Sequence, residues 1–135
     1  MKKLWRRLFP SKEMRAYRKM RRRHRRELMR LAKQVQPFDY GWLDELVLTQ
    51  VKHMYEYFAA GNNVWQTDET RLPIVEQLKH VLDLYEEMDC IWSRDTKDEG
   101  GFDSIDKIKA QYAREDELYR EIYSYIGSNL KGWWD

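Results

Sequence analysis

Residues able to bind a metal ion occur at several places in the sequence, but their spacing does not favour a metal site. Glu76, His80 and Asp83 are separated by four and three residues, which places them on one face of a helix. Surface charge clusters commonly share that spacing. The stretch 95–103 is similar in composition to a calcium-binding loop, yet Lys97 stands where an oxygen ligand is needed. We therefore expect no metal ion at either place.

The other reactive side chains also fail to form a catalytic group. His24 lies among arginines that would repel a metal cation, and His53 and His80 belong to different predicted helices without the Glu-x-x-His spacing of di-iron bundles. Cys90, the single cysteine, lies within an apolar helical pattern and has no histidine partner at a useful spacing. There is no glycine-rich phosphate loop. The sequence predicts a protein that is not an enzyme and needs no cofactor.

Phosphate binding is the chemistry that the sequence favours most. Residues 1–36 contain 15 Lys or Arg against 2 acidic residues, a net charge of +13, whereas residues 37–135 contain 10 basic and 21 acidic residues, a net charge of −11. Such segregation is typical of a basic arm that binds a polyanion. The predicted nucleic-acid-binding residues are Arg15, Arg18, Lys19, Arg21, Arg22, Arg23, Arg25, Arg26 and Arg30.

No base-reading motif accompanies this arm, so we expect binding that is indifferent to nucleotide sequence. Either DNA or RNA would serve as the ligand. Two alternatives stay open. In one, the chain is an inhibitor or assembly factor whose arm binds an acidic protein surface, including that of a second copy. In the other, the N-terminus binds a membrane surface, because four apolar residues alternate with basic ones there. These are Leu4, Trp5, Leu8 and Phe9.

Aromatic residues are the second unusual feature, since the chain has 6 Trp and 9 Tyr. Tryptophan is enriched at the centres of protein interfaces and can also stack on unpaired bases. The alternatives are that the helical tryptophans fill the core and that the pair Trp133-Trp134, outside the helical pattern, docks on its own chain. The predicted partner-binding residues are Trp42, Trp65, Trp133 and Trp134.

The apolar spacing predicts helices nearly throughout the chain, so the predicted fold class is all-α. The first helix begins after Ser11 as its cap and ends before Pro37, with a narrow apolar stripe. That stripe comprises Met14, Tyr17, Met20 or His24, Leu28, Leu31 and Val35.

Three further amphipathic helices follow in the acidic part. Asp39 caps the second helix and Gly61 closes it, while Gly127 is predicted to stop the last. Their apolar seams are Leu43, Val47, Gln50, Met54 and Tyr57; then Ile74, Leu78, Val81, Tyr85, Met88 and Trp92; then Ile105, Ile108, Tyr112, Leu118, Ile122 and Tyr125.

Helices of this length with short connections favour an antiparallel three-helix bundle. The sequence therefore predicts two parts, a polybasic helical arm over residues 1–36 and an acidic, aromatic-rich bundle over residues 37–135. The arm either docks on the bundle as a fourth helix or projects from it. Oligomerisation stays open. No apolar run approaches the ~20 residues of a membrane span, and charges interrupt the start where a signal peptide is apolar.

The acidic part resembles small helical proteins encoded by tailed bacteriophages. The resemblance covers scattered aromatic positions from Pro37 to Leu43, from His53 to Phe58 and from Ile74 to Asp83, and the ending Trp133-Trp134-Asp135. It implies no catalytic residue or cofactor. It does imply a binding protein of phage biology, in the host cytoplasm or inside a phage particle, whose bundle holds a virion or host protein. The arm lies outside the resemblance, and its predicted role in holding nucleic acid follows from its charge alone.

Overall fold

The computed structural model describes residues 11–36, 39–61, 67–93 and 105–133. Within these ranges the fold is all-helical and contains no strand, which confirms the predicted class. Helix α1 covers Lys12–Ala32, α2 covers Tyr40–Ala59, α3 covers Asp68–Ser93 and α4 covers Ile105–Asn129. A 3₁₀ helix, Leu130–Trp133, follows α4 directly.

The first two helices begin where their capping residues predict. The Ser11 Oγ accepts a hydrogen bond from the Met14 backbone N–H over 3.2 Å, and the Asp39 Oδ1 accepts one from Gly41 over 2.9 Å. Each cap satisfies a backbone donor that has no partner inside its helix. Both predicted caps are confirmed.

The predicted C-terminal ends of the helices agree with the structure less well than the predicted starts. Helix α1 ends at Ala32, short of the predicted stop, while α2 ends at Ala59 and Gly61 adopts a φ of 66°, as its predicted closing role requires. The prediction for Gly127 is wrong, because α4 continues through it to Asn129. Nothing in its surroundings demands a left-handed backbone, so glycine is tolerated there as an ordinary helical residue.

The chain divides into two compact units, Met1–Val75 and Glu76–Asp135, with the boundary inside α3. This division differs from the predicted one after residue 36, because the basic helix belongs to the same unit as α2.

In the first unit α1 and α2 pack as an antiparallel pair. The Tyr17 and Tyr57 rings have centroids 5.8 Å apart near one end, and the His24 and His53 rings pack together further along. The Leu31 side chain is buried, but Leu43, predicted in the seam of α2, is 62% exposed. The basic helix is thus docked through a narrow stripe.

The start of α3 joins this unit through one arginine. The Arg71 Nη1 donates to the Phe58 carbonyl oxygen over 2.6 Å, near the C-terminal end of α2, and its Nη2 donates to Asp68 over 2.9 Å. Because the last carbonyls of a helix have no partner within it, a cation here both satisfies one and favours the helix dipole.

The second unit is an antiparallel pair formed by the remainder of α3 and by α4. His80 packs on Tyr125 and Trp92 on Tyr112, with ring centroids 4.6 and 5.0 Å apart. The predicted seam of α3 is buried as far as Met88. The α4 seam is buried only in its second half. The side chains that fill this core are Leu78, Val81, Leu84, Tyr85, Met88, Leu118, Ile122 and Trp133.

Candidate nucleic-acid interface

The outer side of α1 presents a row of arginines, which we call the arginine face: Arg18, Arg22, Arg25 and Arg26. These residues follow the helical repeat and lie away from the stripe that packs on α2, and all four are exposed. None of them forms a salt bridge with a carboxylate of the described residues; the Arg26 Nε donates to the Arg22 carbonyl oxygen over 3.3 Å.

An open groove of about 460 Å³ runs along this face. Every residue that lines it is cationic except Met29, whose side chain is 55% exposed. Its lining is Arg22, Arg25, Arg26, Met29, Arg30 and Lys33. Arginine presents planar donors that match phosphate oxygens, and an exposed methionine adds apolar contact area beside them.

Helix formation is what aligns these charges. Arginine and lysine are good helix formers, Glu13 lies in the first turn and Arg30 in the last, so the terminal charges suit the helix dipole. At 1.5 Å per residue, the 21 residues of α1 extend about 31 Å, close to one turn of duplex DNA.

On its inner side α1 is joined to α2 by four residues that we call the histidine–glutamate clasp: His24, Glu27, His53 and Glu56. The His24 Nε2 lies 2.7 Å from the Glu56 Oε2, and the His53 Nε2 lies 2.8 Å from the Glu27 Oε2. Each helix therefore supplies one imidazole and one carboxylate. Because an ionised carboxylate only accepts, each Nε2 donates the hydrogen bond.

The two imidazole rings of the clasp stack face to face, with centroids 3.9 Å apart and planes inclined by 8°. His53 is the more deeply placed, and its Nδ1 is buried without a hydrogen-bond partner among the described residues. The His24 side chain is 13% exposed. Stacked rings of neutral histidine pack well, whereas two charged rings at this distance repel each other.

Cations surround the carboxylates of the clasp. Arg23 forms a salt bridge with Glu56, and this bond, followed by that from His24, lowers the pKa of the Glu56 carboxyl. The hydrogen bond from His53 lowers the pKa of Glu27, with a smaller contribution from Arg30. Both glutamate side chains are more than two-fifths exposed, so solvent screening keeps these pairs weak.

A second open groove, of about 730 Å³, passes over the clasp. The charged residues that line it are Lys19, Arg23, Arg26, Glu27, Arg30 and Glu56. Four cations thus face two carboxylates, and each carboxylate is held by an imidazole from the opposite helix.

The predicted cationic residues all lie on α1, but they are not equivalent. Arg23 is engaged by Glu56, and Arg30 acts electrostatically on Glu27, whereas the arginine face has no such carboxylate partner in the described part of the chain. Helix α1 therefore has an outer face of exposed arginines and an inner edge that contacts α2.

The predicted partner-binding tryptophans have different positions. Trp133 is 1% exposed and its Nε1 donates to the Gln77 Oε1 over 2.8 Å, so it belongs to the core of the second unit and offers no contact surface. Trp42 is half-buried on α2. The remaining predicted contact residues lie outside the described ranges: Leu4, Trp5, Leu8, Phe9, Trp65 and Trp134.

Sequence reasoning missed the clasp, although a signal was present. His24-Arg25-Arg26-Glu27 and His53-Met54-Tyr55-Glu56 have the same His-x-x-Glu spacing. On two antiparallel helices this repeat brings each histidine opposite the glutamate of the other helix.

The described residues contain no group of three or more His, Cys, Asp or Glu side chains placed to hold a metal ion. Of the predicted cluster on α3, His80 instead packs on Tyr125. Among the helices that the structure describes, none combines the length and apolarity required to cross a bilayer.

Comparison of the chain with protein-family models, with curated proteins and with solved structures finds no match.

Proposed function

We propose that this protein binds nucleic acid through the outer side of α1, by contacts to the phosphate backbone and without sequence specificity. The observation that carries this proposal is the arginine face, where four exposed guanidinium groups have no carboxylate partner among the described residues. Docking of α1 on α2 holds these groups in a fixed row, which reduces the entropy lost on binding.

The charge of the face favours a phosphate-rich ligand. Each phosphate that a basic side chain neutralises releases condensed counterions, and this term supplies most of the affinity of non-specific nucleic-acid binding. The groove along the face is lined by arginines, Lys33 and Met29, and no base-reading motif accompanies them. A phage genome or transcript, in a host cell or a particle, is the ligand that the sequence resemblance would suggest.

A protein partner for the remainder of the chain belongs to the same proposal. Tyr40 and Leu43, near the start of α2, are 78% and 62% exposed, and with the half-buried Trp42 they form an apolar end to that helix. Exposed aromatic and aliphatic side chains of this kind are typical of residues that contact another protein.

Binding of the full chain to a labelled DNA duplex, and to a single-stranded RNA of equal length, tests the proposal. We expect the dissociation constant to rise steeply between about 50 and about 200 mM NaCl, with a log–log slope of about −0.9 per phosphate neutralised on duplex DNA. Replacing Arg18, Arg22 and Arg25 by glutamine should weaken binding and reduce that slope by about 2 to 3.

The matched control removes the same charge from the second unit, by replacing Lys109, Arg120 and Lys131 with glutamine; all three are exposed. This variant should bind nearly as the parent does. Equal loss in both variants would mean that net charge, rather than the arginine face, governs binding. Absence of binding at low salt, together with retention on vesicles of anionic lipid, would replace the proposal by the membrane alternative.

A further inference from the structure

The groove over the clasp contains both the cations that would meet a phosphate and the carboxylates that would repel it. Its cations are Lys19, Arg23, Arg26 and Arg30, and its carboxylates are Glu27 and Glu56. With neutral histidines these groups sum to a charge of +2; if both histidines behind the carboxylates are protonated, the local charge becomes +4. Histidine is the side chain whose charge ordinarily changes between pH 5 and pH 8.

We propose that the clasp makes nucleic-acid binding proton-linked: His24 and His53 take up protons when phosphates occupy the groove, so affinity rises as the pH falls through the histidine range. This inference rests on the proposed function and adds its regulation. It assigns His24 and His53 as positioning residues that act through Glu27, Glu56 and Arg23.

The first physical reason is competition for Arg23. In the structure Glu56 receives hydrogen bonds from both Arg23 and His24. A protonated His24 neutralises Glu56 by a charge-assisted hydrogen bond of its own, so Arg23 can turn to a phosphate without leaving a bare carboxylate in the groove. A neutral His24 gives Glu56 no such compensation.

The second reason is the stacking of the two rings. Two imidazolium rings with centroids 3.9 Å apart repel each other, and a polyanion in the adjacent groove relieves that repulsion. The favoured first proton acceptor is His24, because protonation of His53 would place a buried N–H at Nδ1 with no acceptor among the described residues.

The charged groups that line the groove over the clasp come from both helices. From α1 they are Lys19, Arg23, Arg26, Glu27 and Arg30, and from α2 Glu56. The two helices also pair the Tyr17 and Tyr57 rings. Because the pKa of Glu27 and that of Glu56 are both lowered, the two carboxylates stay ionised throughout the histidine range.

Linkage fixes the sign of the effect. If the complex holds more protons than the free protein, lower pH favours the complex, and equally the nucleic acid favours protonation. We expect affinity to increase by about fivefold or more between about pH 8 and pH 5.5, which is the low end of ordinary coupling between two sites.

The experiment measures the dissociation constant of the full chain for the labelled duplex across this pH range at constant ionic strength. His24→Gln with His53→Gln is the principal variant, since a glutamine amide still donates to the glutamates but takes up no proton. Its affinity should be independent of pH. The single variant His24→Gln should lose most of the dependence even if the double variant folds poorly.

His80→Gln is the matched control, because His80 lies in the second unit against Tyr125. It should retain the pH dependence of the parent. Calorimetric titration near pH 6.5 in buffers of different ionisation enthalpy should show net proton uptake by the parent and none by the double variant.

The two proposals fail in different ways. Binding that is strong but equally tight at both ends of the pH range would disprove the proton linkage and leave the arginine face intact. A pH dependence that persists in the double variant, or disappears in His80→Gln, would also overturn the role of the clasp. No binding at any pH would remove the proposed function itself.

Discussion

Trp133, predicted from the sequence to dock on its own chain or to bind a partner, docks on its own chain. This residue lies outside the predicted helical pattern, and a 3₁₀ helix turns it into the core of the second unit. There its ring is fully enclosed and its indole N–H is satisfied by Gln77. A buried indole N–H usually needs such a partner.

We predict that Trp133→Ala lowers the free energy of unfolding by about 3–5 kcal/mol, the range for removing a large buried aromatic side chain. Gln77→Ala should cost about 1–2 kcal/mol, because it leaves the buried indole donor unpaired. Urea unfolding followed by far-ultraviolet circular dichroism measures both.

Trp92→Ala is the control in the same unit, because its side chain is 38% exposed and packs on Tyr112 at the surface. Trp92→Ala should lower the free energy of unfolding by clearly less than Trp133→Ala does. Equal decreases in the free energy of unfolding for the two substitutions would contradict the burial of Trp133.

Glycines distinguish the ends of the helices from their interiors. Gly61 and Gly127 look alike in sequence, since each follows an amphipathic stretch and precedes a polar residue. Gly61 has a positive φ and closes α2, whereas Gly127 is an ordinary helical residue of α4. The backbone conformation, which side-chain spacing does not report, separates the two cases.

The corresponding prediction is that Gly127→Ala stabilises the protein, by up to about 1 kcal/mol, because alanine restricts the unfolded chain and favours the helix. A Cβ at Gly127 would meet no atom within 4 Å. Gly61→Ala should instead destabilise by roughly 1 kcal/mol, since an L-residue is strained at this φ. Thermal unfolding of the two variants should move the midpoint in opposite directions; a shift of the same sign in both would refute this assignment.

Across the whole molecule, charge segregation sets how the protein responds to ions. Like charges four residues apart in a helix repel by about 0.2–0.5 kcal/mol per pair. Helix α1 has six such pairs: Arg15–Lys19, Arg18–Arg22, Lys19–Arg23, Arg21–Arg25, Arg22–Arg26 and Arg26–Arg30. Exposed attractions such as Arg23–Glu56 contribute only about 0–1 kcal/mol each, so repulsion dominates.

We therefore predict that added salt stabilises α1 rather than weakening it. Raising NaCl from about 50 mM to about 500 mM shortens the screening length from roughly 14 Å to roughly 4 Å, which removes most of the repulsion. Amide hydrogen exchange of the full chain should show slower exchange in α1 at high salt. Amides of α4, where acidic and basic residues alternate, serve as the internal control. Faster exchange of the α1 amides in high salt would mean that the attraction of the ion pairs in the clasp exceeds the repulsion among the arginines.

The sequence alone determined the helical class, the caps at Ser11 and Asp39, the buried seam of α3 and the concentration of positive charge in α1, because each follows from local spacing and composition. Only the tertiary structure decided which arginines remain open, that Trp133 is core and that two His-x-x-Glu segments form one clasp. Those outcomes depend on which faces of distant helices meet, and spacing along one helix carries no information about the register of its partner.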